Sequence, residues 1–225
     1  MLAQVREHPR KPGRYRVRLA DTRTFLVDAA TVGSLPALRE GVALDEREIV
    51  ALEQAHAYTA SLDRALAALG RARRSRRELA RRLAQHEPDA DLVARVLDRL
   101  EALGLLDDAA VARAEAASRF QRGEGAGRVR QALLRKGIER AAVEEAIREV
   151  THEEAVDEVA LCLAAAERRL RTLRNLAPEV QRRRLTGYLM RRGFGGAAVH
   201  DVVRRLLRDV GRHGDAHREH ERLDD

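Results

Sequence analysis

Arginine is the residue type whose abundance and spacing indicate a binding role in this sequence. Only two of the 43 basic side chains are lysines, Lys11 and Lys136. Two stretches are rich in arginine: Arg71–Arg82 has seven arginines and one acid, and Arg168–Arg192 has nine arginines and one acid. Guanidinium groups donate paired hydrogen bonds that fit phosphate oxygens. The two stretches therefore indicate phosphate binding, with a solvated helix face as the plain alternative.

Patterns of catalytic and cofactor-binding sites are missing from the sequence. No phosphate-binding glycine loop follows a predicted strand, and the glycine-rich segment Gly123–Gly127 joins two predicted helices. A flexible interhelical loop is the favoured interpretation of that segment. Asp107 and Asp108 stand at a predicted helix start, where carboxylates serve as a cap and as partners of the helix dipole. We therefore predict that the protein is not an enzyme and that it binds no cofactor.

Metal and thiol chemistry are disfavoured as well. His213, His217 and His220 have helical metal-ligand spacing, but they lie in a polar tail that we expect to be unfolded, so a chance cluster is the simpler interpretation. Cys162 is the single cysteine, which excludes an intrachain disulfide and a cysteine-based zinc site. Because it lies between two leucines of an apolar stretch, it predicts a buried and unreactive thiol.

The overall composition is that of a soluble globular protein, and its basic balance is compatible with a polyanionic partner. The chain has 225 residues and a net charge of +7, and its aromatic content is only 3%. The longest uncharged apolar run, Val159–Ala166, is far shorter than the roughly 20 residues that span a bilayer. These features predict a cytoplasmic protein without a membrane partner. The scarcity of aromatic residues argues against base stacking.

The elements that must position these arginines are mostly helical, after a short segment of β character. Tyr15–Leu19 alternates apolar and polar residues, and Thr24–Val27 is also prone to form a strand, so the two predict a β-hairpin. Residues 31–39 predict a short helix that is interrupted by Pro36 and closes near Gly41. From Asp45 onward the apolar spacing is helical.

Helix boundaries follow from capping signals. Ser75 with Glu78, and Thr151 with Glu154, have the spacing of capping boxes, and each predicts the start of a helix. The predicted organisation is an N-terminal segment of residues 1–44, three helical units of residues 45–106, 107–150 and 151–210, and a disordered tail of residues 211–225.

Internal repetition carries the fold prediction. Aliphatic residues recur in three sets with steps of 4, 10, 4 and 3. The sets are Leu79, Leu83, Val93, Leu97 and Leu100; Val129, Leu133, Val143, Ile147 and Val150; and Leu185, Leu189, Val199, Val203 and Leu206. Three short helices bury too little surface alone, so neighbouring units must pack together. The predicted fold is mostly α, a tandem repeat of three three-helix units in an elongated array, with a small N-terminal segment that contains the β-hairpin.

The middle helix of each unit carries basic side chains away from its predicted core. At 100° per residue, Arg74, Arg77 and Arg81 fall opposite Leu79, and comparable positions recur in the other two units. The candidate DNA- or partner-binding residues are Arg71, Arg73, Arg74, Arg77, Arg81, Arg128, Arg130, Arg135, Lys136, Arg183, Arg184, Arg191 and Arg192. Such a surface can contact a phosphate backbone without reading base sequence.

Four motifs in order resemble the RecX family. Residues 74–79, Arg-Ser-Arg-Arg-Glu-Leu, resemble its R-S-x-x-E-L signature. Leu100 with the Gly-Leu-Leu-Asp-Asp-Ala run at 104–109 resembles its L-x-x-x-G-h-L-D-D pattern, in which h is apolar. Residues 136–138, Lys-Gly-Ile, and the segment 188–194 resemble its second and third units. The resemblance covers about residues 50–210 and implies tandem three-helix repeats.

The resemblance further implies a non-enzymatic modulator of the RecA recombinase. Such a protein would bind in the groove of the RecA–DNA filament. There it would restrain ATPase, strand-exchange and co-protease activities in recombination, DNA repair and the SOS response. The expected partners are the RecA filament and single- and double-stranded DNA, and the expected state is a monomer. A helical transcriptional regulator is the alternative, although few Asn or Gln side chains are available to read bases.

Overall fold

The computed structural model describes residues 2–35, 38 and 43–220, with the backbone alone at 2, 3 and 209–220. Within these residues lie three strands and ten helices. The chain divides into two compact units, Met1–Asp107 and Asp108–Asp225. No helix in the described ranges combines the length and apolar character that a membrane span requires.

The first unit begins with a three-stranded antiparallel sheet in the order β1-β2-β3. The strands are β1 (Leu2–Glu7), β2 (Arg14–Leu19) and β3 (Thr24–Asp28). Side chains alternate between the two sheet faces, so the apolar odd-numbered residues share one face. The predicted hairpin is β2–β3, whereas β1 was not predicted, because Leu2–Glu7 has no sustained alternation of apolar and polar residues.

The apolar face of the sheet packs against a long helix, α2 (Glu46–Leu69). Val17, Phe25 and Val27 form a core with Leu52 of α2. The edge strand β3 is also held by α2, because the Leu26 N–H donates to His56 Nδ1 at 2.9 Å.

A short helix, α1 (Ala29–Ser34), connects the sheet to the helical part. It lies within the predicted helix of residues 31–39 only in part, and the predicted break at Pro36 and closure near Gly41 fall outside the described residues.

An ion-pair cluster fastens the β1–β2 turn to the same helix. Asp63 of α2 accepts hydrogen bonds from Lys11 Nζ at 2.6 Å and from Arg14 Nη2 at 2.8 Å. Partial burial raises the pKa of Asp63, but the hydrogen bonds and charges of Lys11 and Arg14 outweigh it, so the pKa lies below its ordinary value. The carboxylate is thereby kept ionised where it joins sheet and helix.

Three helical units follow, as predicted. The first consists of α2, α3 (Arg76–Leu83) and α4 (Ala90–Ala102). The second consists of α5 (Asp108–Gln121), α6 (Ala126–Arg135) and α7 (Arg140–Glu153). The third consists of α8 (Glu158–Arg171), α9 (Pro178–Arg191) and α10 (Gly196–His220). The recurring aliphatic positions are all buried except Leu206, which is partly buried against the third core. The mostly helical fold with three three-helix units and a small N-terminal sheet is confirmed.

Two predicted boundaries differ from the structure. Thr151 does not cap a helix, because α7 continues through Glu153 and the Thr151 hydroxyl donates to the Ile147 carbonyl one turn back. The next helix begins instead after Asp157, whose carboxylate accepts from the N–H groups of Val159 and Ala160. The capping-box spacing at 151–154 is therefore not used. In place of the disordered tail predicted from residue 211, the backbone of α10 is helical through residue 220.

Candidate nucleic-acid interface

The first candidate surface is the exposed side of α3. The capping box at its start is formed in both directions: Glu78 N–H donates to Ser75 Oγ at 3.2 Å, and Ser75 N–H donates to the Glu78 carboxylate at 3.1 Å. This fixed start places Leu79 and Leu83 in the core. Arg77 and Arg81, one turn apart, are consequently exposed, and no carboxylate in the described residues pairs with either.

Other arginines of the same stretch differ in their surroundings. Arg76 is not available, because it forms ion pairs with Asp98 at 2.7 Å and Glu101 at 2.6 Å on α4. Arg74 precedes the Ser75 cap and is therefore not part of the α3 stripe that a continuous helical wheel predicted. Arg74 is half-buried, and its Nε has no hydrogen-bond partner within the described residues. Arg71 and Arg73 are exposed between α2 and α3.

In the second repeat, acidic side chains take up part of the positive charge. Arg130 donates two hydrogen bonds to Glu144, at 2.5 and 2.8 Å. This pairing raises the pKa of Arg130 and lowers that of Glu144. Arg128 lies 3.4 Å from Glu124, and Arg135 is exposed. Lys136 ends α6 as its C-terminal cap and is half-buried.

In the third repeat, the candidate arginines divide into free and engaged side chains. Arg183, Arg184 and Arg191 are exposed, with no ion pair to any described carboxylate. Arg192, by contrast, is half-buried and donates from Nη2 to the carbonyl oxygens of Arg122 and Gly123, both at 2.9 Å. Its Nη1 donates to the Tyr188 hydroxyl at 2.9 Å. Arg192 therefore has a structural role that its position in the sequence did not reveal.

Main-chain atoms join the second repeat to the third at what we call the glycine joint, formed by Gly125, Gly127 and Gly193. Gly125 N–H donates to the Arg192 carbonyl and Gly127 N–H to the Gly193 carbonyl, both at 2.9 Å. The backbones approach so closely that a Cβ atom on Gly193 would lie 2.1 Å from the Arg128 nitrogen. The segment 123–127 connects two helices as predicted, but its glycines serve this contact, which the sequence did not indicate.

The glycine joint brings arginines of two repeats together. A cleft of about 770 Å³ lies beside it, lined by Arg128 and Arg130 of α6 and by Met190 and Arg191 of α9. Arg128 Nη1 also donates to the Arg191 carbonyl at 3.2 Å. Three candidate arginines, Arg128, Arg130 and Arg191, thus border one cleft, whereas the α3 arginines belong to the other compact unit.

The remaining candidate chemistry is absent or unreactive in the described part of the chain. Cys162 is fully buried, and burial, followed by the nearby charge of Glu158, raises the pKa of its thiol to about 11. No group of three or more His, Cys, Asp or Glu side chains among the described residues is arranged to hold a metal ion. The side chains of His213, His217 and His220 lie outside what the structure describes.

Family models match all three helical units. The first, second and third three-helix domains of RecX match residues 62–100, 107–147 and 156–203. The regulatory protein RecX of Chlorobaculum tepidum is 32% identical over 150 residues, which are 66% of this chain and 89% of that protein. This chain belongs to the RecX family.

Other RecX proteins extend the comparison. The regulatory protein RecX of Streptomyces coelicolor is 35% identical over 142 residues, covering 61% of this chain and 72% of its own length. A crystal structure of regulatory protein RecX has a TM-score of 0.74 at 23% identity and covers 89% of this chain and 97% of its own. RecX from Lactobacillus salivarius has a TM-score of 0.59 at 18% identity and covers 67% of this chain and 96% of its own. At these identities the two structures establish the fold.

Proposed function

We propose that this protein is a non-enzymatic regulator that binds the RecA recombinase filament and its DNA and restrains RecA activity. The proposal rests on membership of a family of regulatory proteins together with one observation. Exposed arginines without carboxylate partners recur on the middle helices of its repeats, at Arg77 and Arg81 and at Arg183 and Arg184. Unpaired guanidinium groups retain full capacity to donate to phosphate oxygens.

The interleaved acids support a protein partner beside the DNA. Arg76 and Arg130 are held by acidic side chains of neighbouring helices. Arg119 is held by Glu115 of its own helix and by Glu124 of the following loop, so part of the positive charge stabilises the fold. Unpaired arginines and acidic side chains are therefore interleaved on a mixed surface. A mixed surface suits a filament, in which nucleic acid and protein are presented together, and charge complementarity sets the approach to both.

The test is RecA ATP hydrolysis on single-stranded DNA with substoichiometric amounts of the full-length protein. We expect hydrolysis to fall, and the protein to co-sediment with the filament. The variant Arg77→Ala/Arg81→Ala should inhibit less. Its matched control is Arg113→Ala/Arg204→Ala, which also removes two positive charges, from arginines that are paired with Glu149 and Asp201. Unchanged hydrolysis without filament binding would overturn the proposal.

A sequence-specific transcriptional regulator is distinguished by DNA choice. Base reading requires side chains that match individual base edges, whereas arginine contacts to phosphate carry no sequence information. We expect random and promoter-derived duplexes to bind with equal affinity. A strong preference for one promoter sequence would favour the transcriptional role instead.

A further inference from the structure

The outer face of the N-terminal sheet carries three arginines in a compact group. Arg6 of β1 lies directly opposite Arg16 of β2, and Arg18 of β2 lies opposite Gln4 of β1. All three arginines are exposed, while the alternate residues Val5, Val17 and Leu19 face the core. We call Arg6, Arg16 and Arg18 the sheet arginines.

The described carboxylates nearest the sheet arginines have other partners. Asp21 pairs with Arg23 in the β2–β3 turn, and Glu7 accepts from the Gly13 N–H at the other end. Asp28 caps α1, and Asp63 binds the β1–β2 turn. No carboxylate among the described residues pairs with a sheet arginine. Positive charge on this face is therefore left without a counter-charge from those residues.

One sheet arginine is held in place by a neutral group. With the Gln4 amide turned so that both its atoms are satisfied, its oxygen accepts from Arg6 Nε at 2.8 Å. This bond orients the guanidinium without neutralising it. Arg16 and Arg18 have no side-chain partner in the described residues and extend from the central strand.

Folding alone gives no reason for this arrangement. Like charges directly opposite each other on antiparallel strands are destabilising, and any polar residue can occupy the solvent face of a sheet. The apolar face already packs on α2, so the arginines are not needed for the core. Three charges kept together at a cost to strand pairing indicate a ligand of opposite charge.

We propose that the sheet arginines bind the phosphate backbone of DNA, as a contact surface separate from the helical repeats. Arg16 and Arg18 lie about 7 Å apart along β2, and Arg6 lies about 5 Å across from Arg16, so adjacent phosphates can be contacted together. The choice of DNA as ligand rests on the proposed function. The surface lies before residue 62, where the first family-model match begins.

The composition of the face favours contacts to phosphate over insertion into a lipid surface and over base stacking. Among the described side chains, Leu26 on the edge strand is the only large apolar one on this side of the sheet, and it is half-buried. Segments that bind in a lipid surface insert apolar side chains between the headgroups. Base stacking would require an exposed aromatic ring, and the aromatic residues of the sheet, Tyr15 and Phe25, both belong to the core side.

The experiment measures DNA binding by the full-length variant Arg16→Gln/Arg18→Gln. Fluorescence anisotropy of labelled random-sequence DNA gives the affinity over a range of salt concentrations. Two lost phosphate contacts should make the salt slope shallower by about 1.4–1.8, so the loss of affinity from about 50 to 200 mM salt becomes roughly tenfold smaller. Arg16→Lys/Arg18→Lys keeps both charges and should retain nearly the wild-type slope. The matched control, Arg113→Gln/Arg204→Gln, should also leave the slope unchanged.

The outcomes separate this inference from the proposed function. If Arg16→Gln/Arg18→Gln matches the control in slope while the wild-type protein binds DNA, the sheet arginines form a solvated face and the inference is overturned alone. If DNA binding is unchanged but the variant loses binding to RecA protein without DNA, the surface is a protein contact and the inference is likewise overturned. Should the double variant not fold, Arg18→Gln, which lies between Gln4 and Thr24, tests one contact with half the change in slope.

Discussion

Substitution of Gly193 by alanine is predicted to disrupt the glycine joint between the second and third repeats. Gly193 has a φ of +87°, a conformation that alanine rarely adopts. The added Cβ would lie 2.1 Å from the Arg128 nitrogen and 2.6 Å from the Arg128 Cβ. Ordinary contact between such atoms needs about 3.5–4.0 Å, so the two segments must separate by more than 1 Å. At that separation, the hydrogen bonds of Gly125 and Gly127 cannot both persist.

The expected magnitude follows from these two effects. The left-handed backbone costs an alanine about 1–2 kcal/mol. Each of the two lost N–H to carbonyl bonds contributes about 0.5–1.5 kcal/mol. We therefore expect Gly193→Ala to lower the free energy of unfolding by about 2–5 kcal/mol.

Two measurements check this prediction. Urea unfolding followed by circular dichroism gives the change in stability, and amide hydrogen exchange reports the Gly125 and Gly127 N–H groups directly. Gly196→Ala is the matched control, because a Cβ atom there meets nothing within 4 Å. A loss below about 0.5 kcal/mol, within the usual range for surface substitutions, together with unchanged exchange at Gly125 and Gly127, would refute the reasoning.

Three further predictions concern individual side chains and one arginine pair. Asp63→Asn should destabilise the first unit by about 1–3 kcal/mol at neutral pH, because charge-assisted hydrogen bonds to Lys11 and Arg14 are lost. The pKa of Asp63 is lowered in the folded chain, so its contribution to stability is present above the ordinary pKa of 3.8 and is lost as the pH falls below that value. The free energy of unfolding of the variant should therefore change less with pH in this acidic range than that of the wild-type protein. Cys162 should resist thiol reagents at pH 8 until the chain unfolds, because its pKa is about 11 and its side chain is buried; rapid labelling of the folded protein would contradict this. Arg77→Ala/Arg81→Ala should make the salt slope of DNA binding shallower by about 1.4–1.8, and an unchanged slope would show a solvated helix face.

Periodicity made most of the helical fold predictable. The positions from Leu79 to Leu206 recur with one spacing because each unit buries the same faces of its second and third helices. Ser75 and Glu78 were also sufficient to locate the start of α3, since capping depends on residues close in sequence. Thr151 shows the limit of such local signals. Its hydroxyl can satisfy a carbonyl within a continuing helix as well as cap a new one.

The roles of individual arginines could be predicted only in part. The sequence shows how many there are, but partners such as Glu144 for Arg130 are brought into contact by tertiary packing. Arg192 is engaged by carbonyl groups of residues 122 and 123, about seventy positions away. The alternation of Tyr15–Leu19 did hold a usable signal, because it placed Arg16 and Arg18 on one face of a strand. Because β1 was not predicted, the sequence did not show that Arg6 lies opposite Arg16.

The helix α2 belongs to two cores at once. Its N-terminal half places Leu52 among the side chains of the sheet, and its C-terminal half contributes Ala65 and Ala68 to the first repeat. Removal of the strands would leave Leu52 and its neighbours open to water at the start of a helix that the repeat depends on. The three strands and the first repeat therefore depend on the same helix for their stability. We expect the first compact unit to unfold in a single cooperative transition.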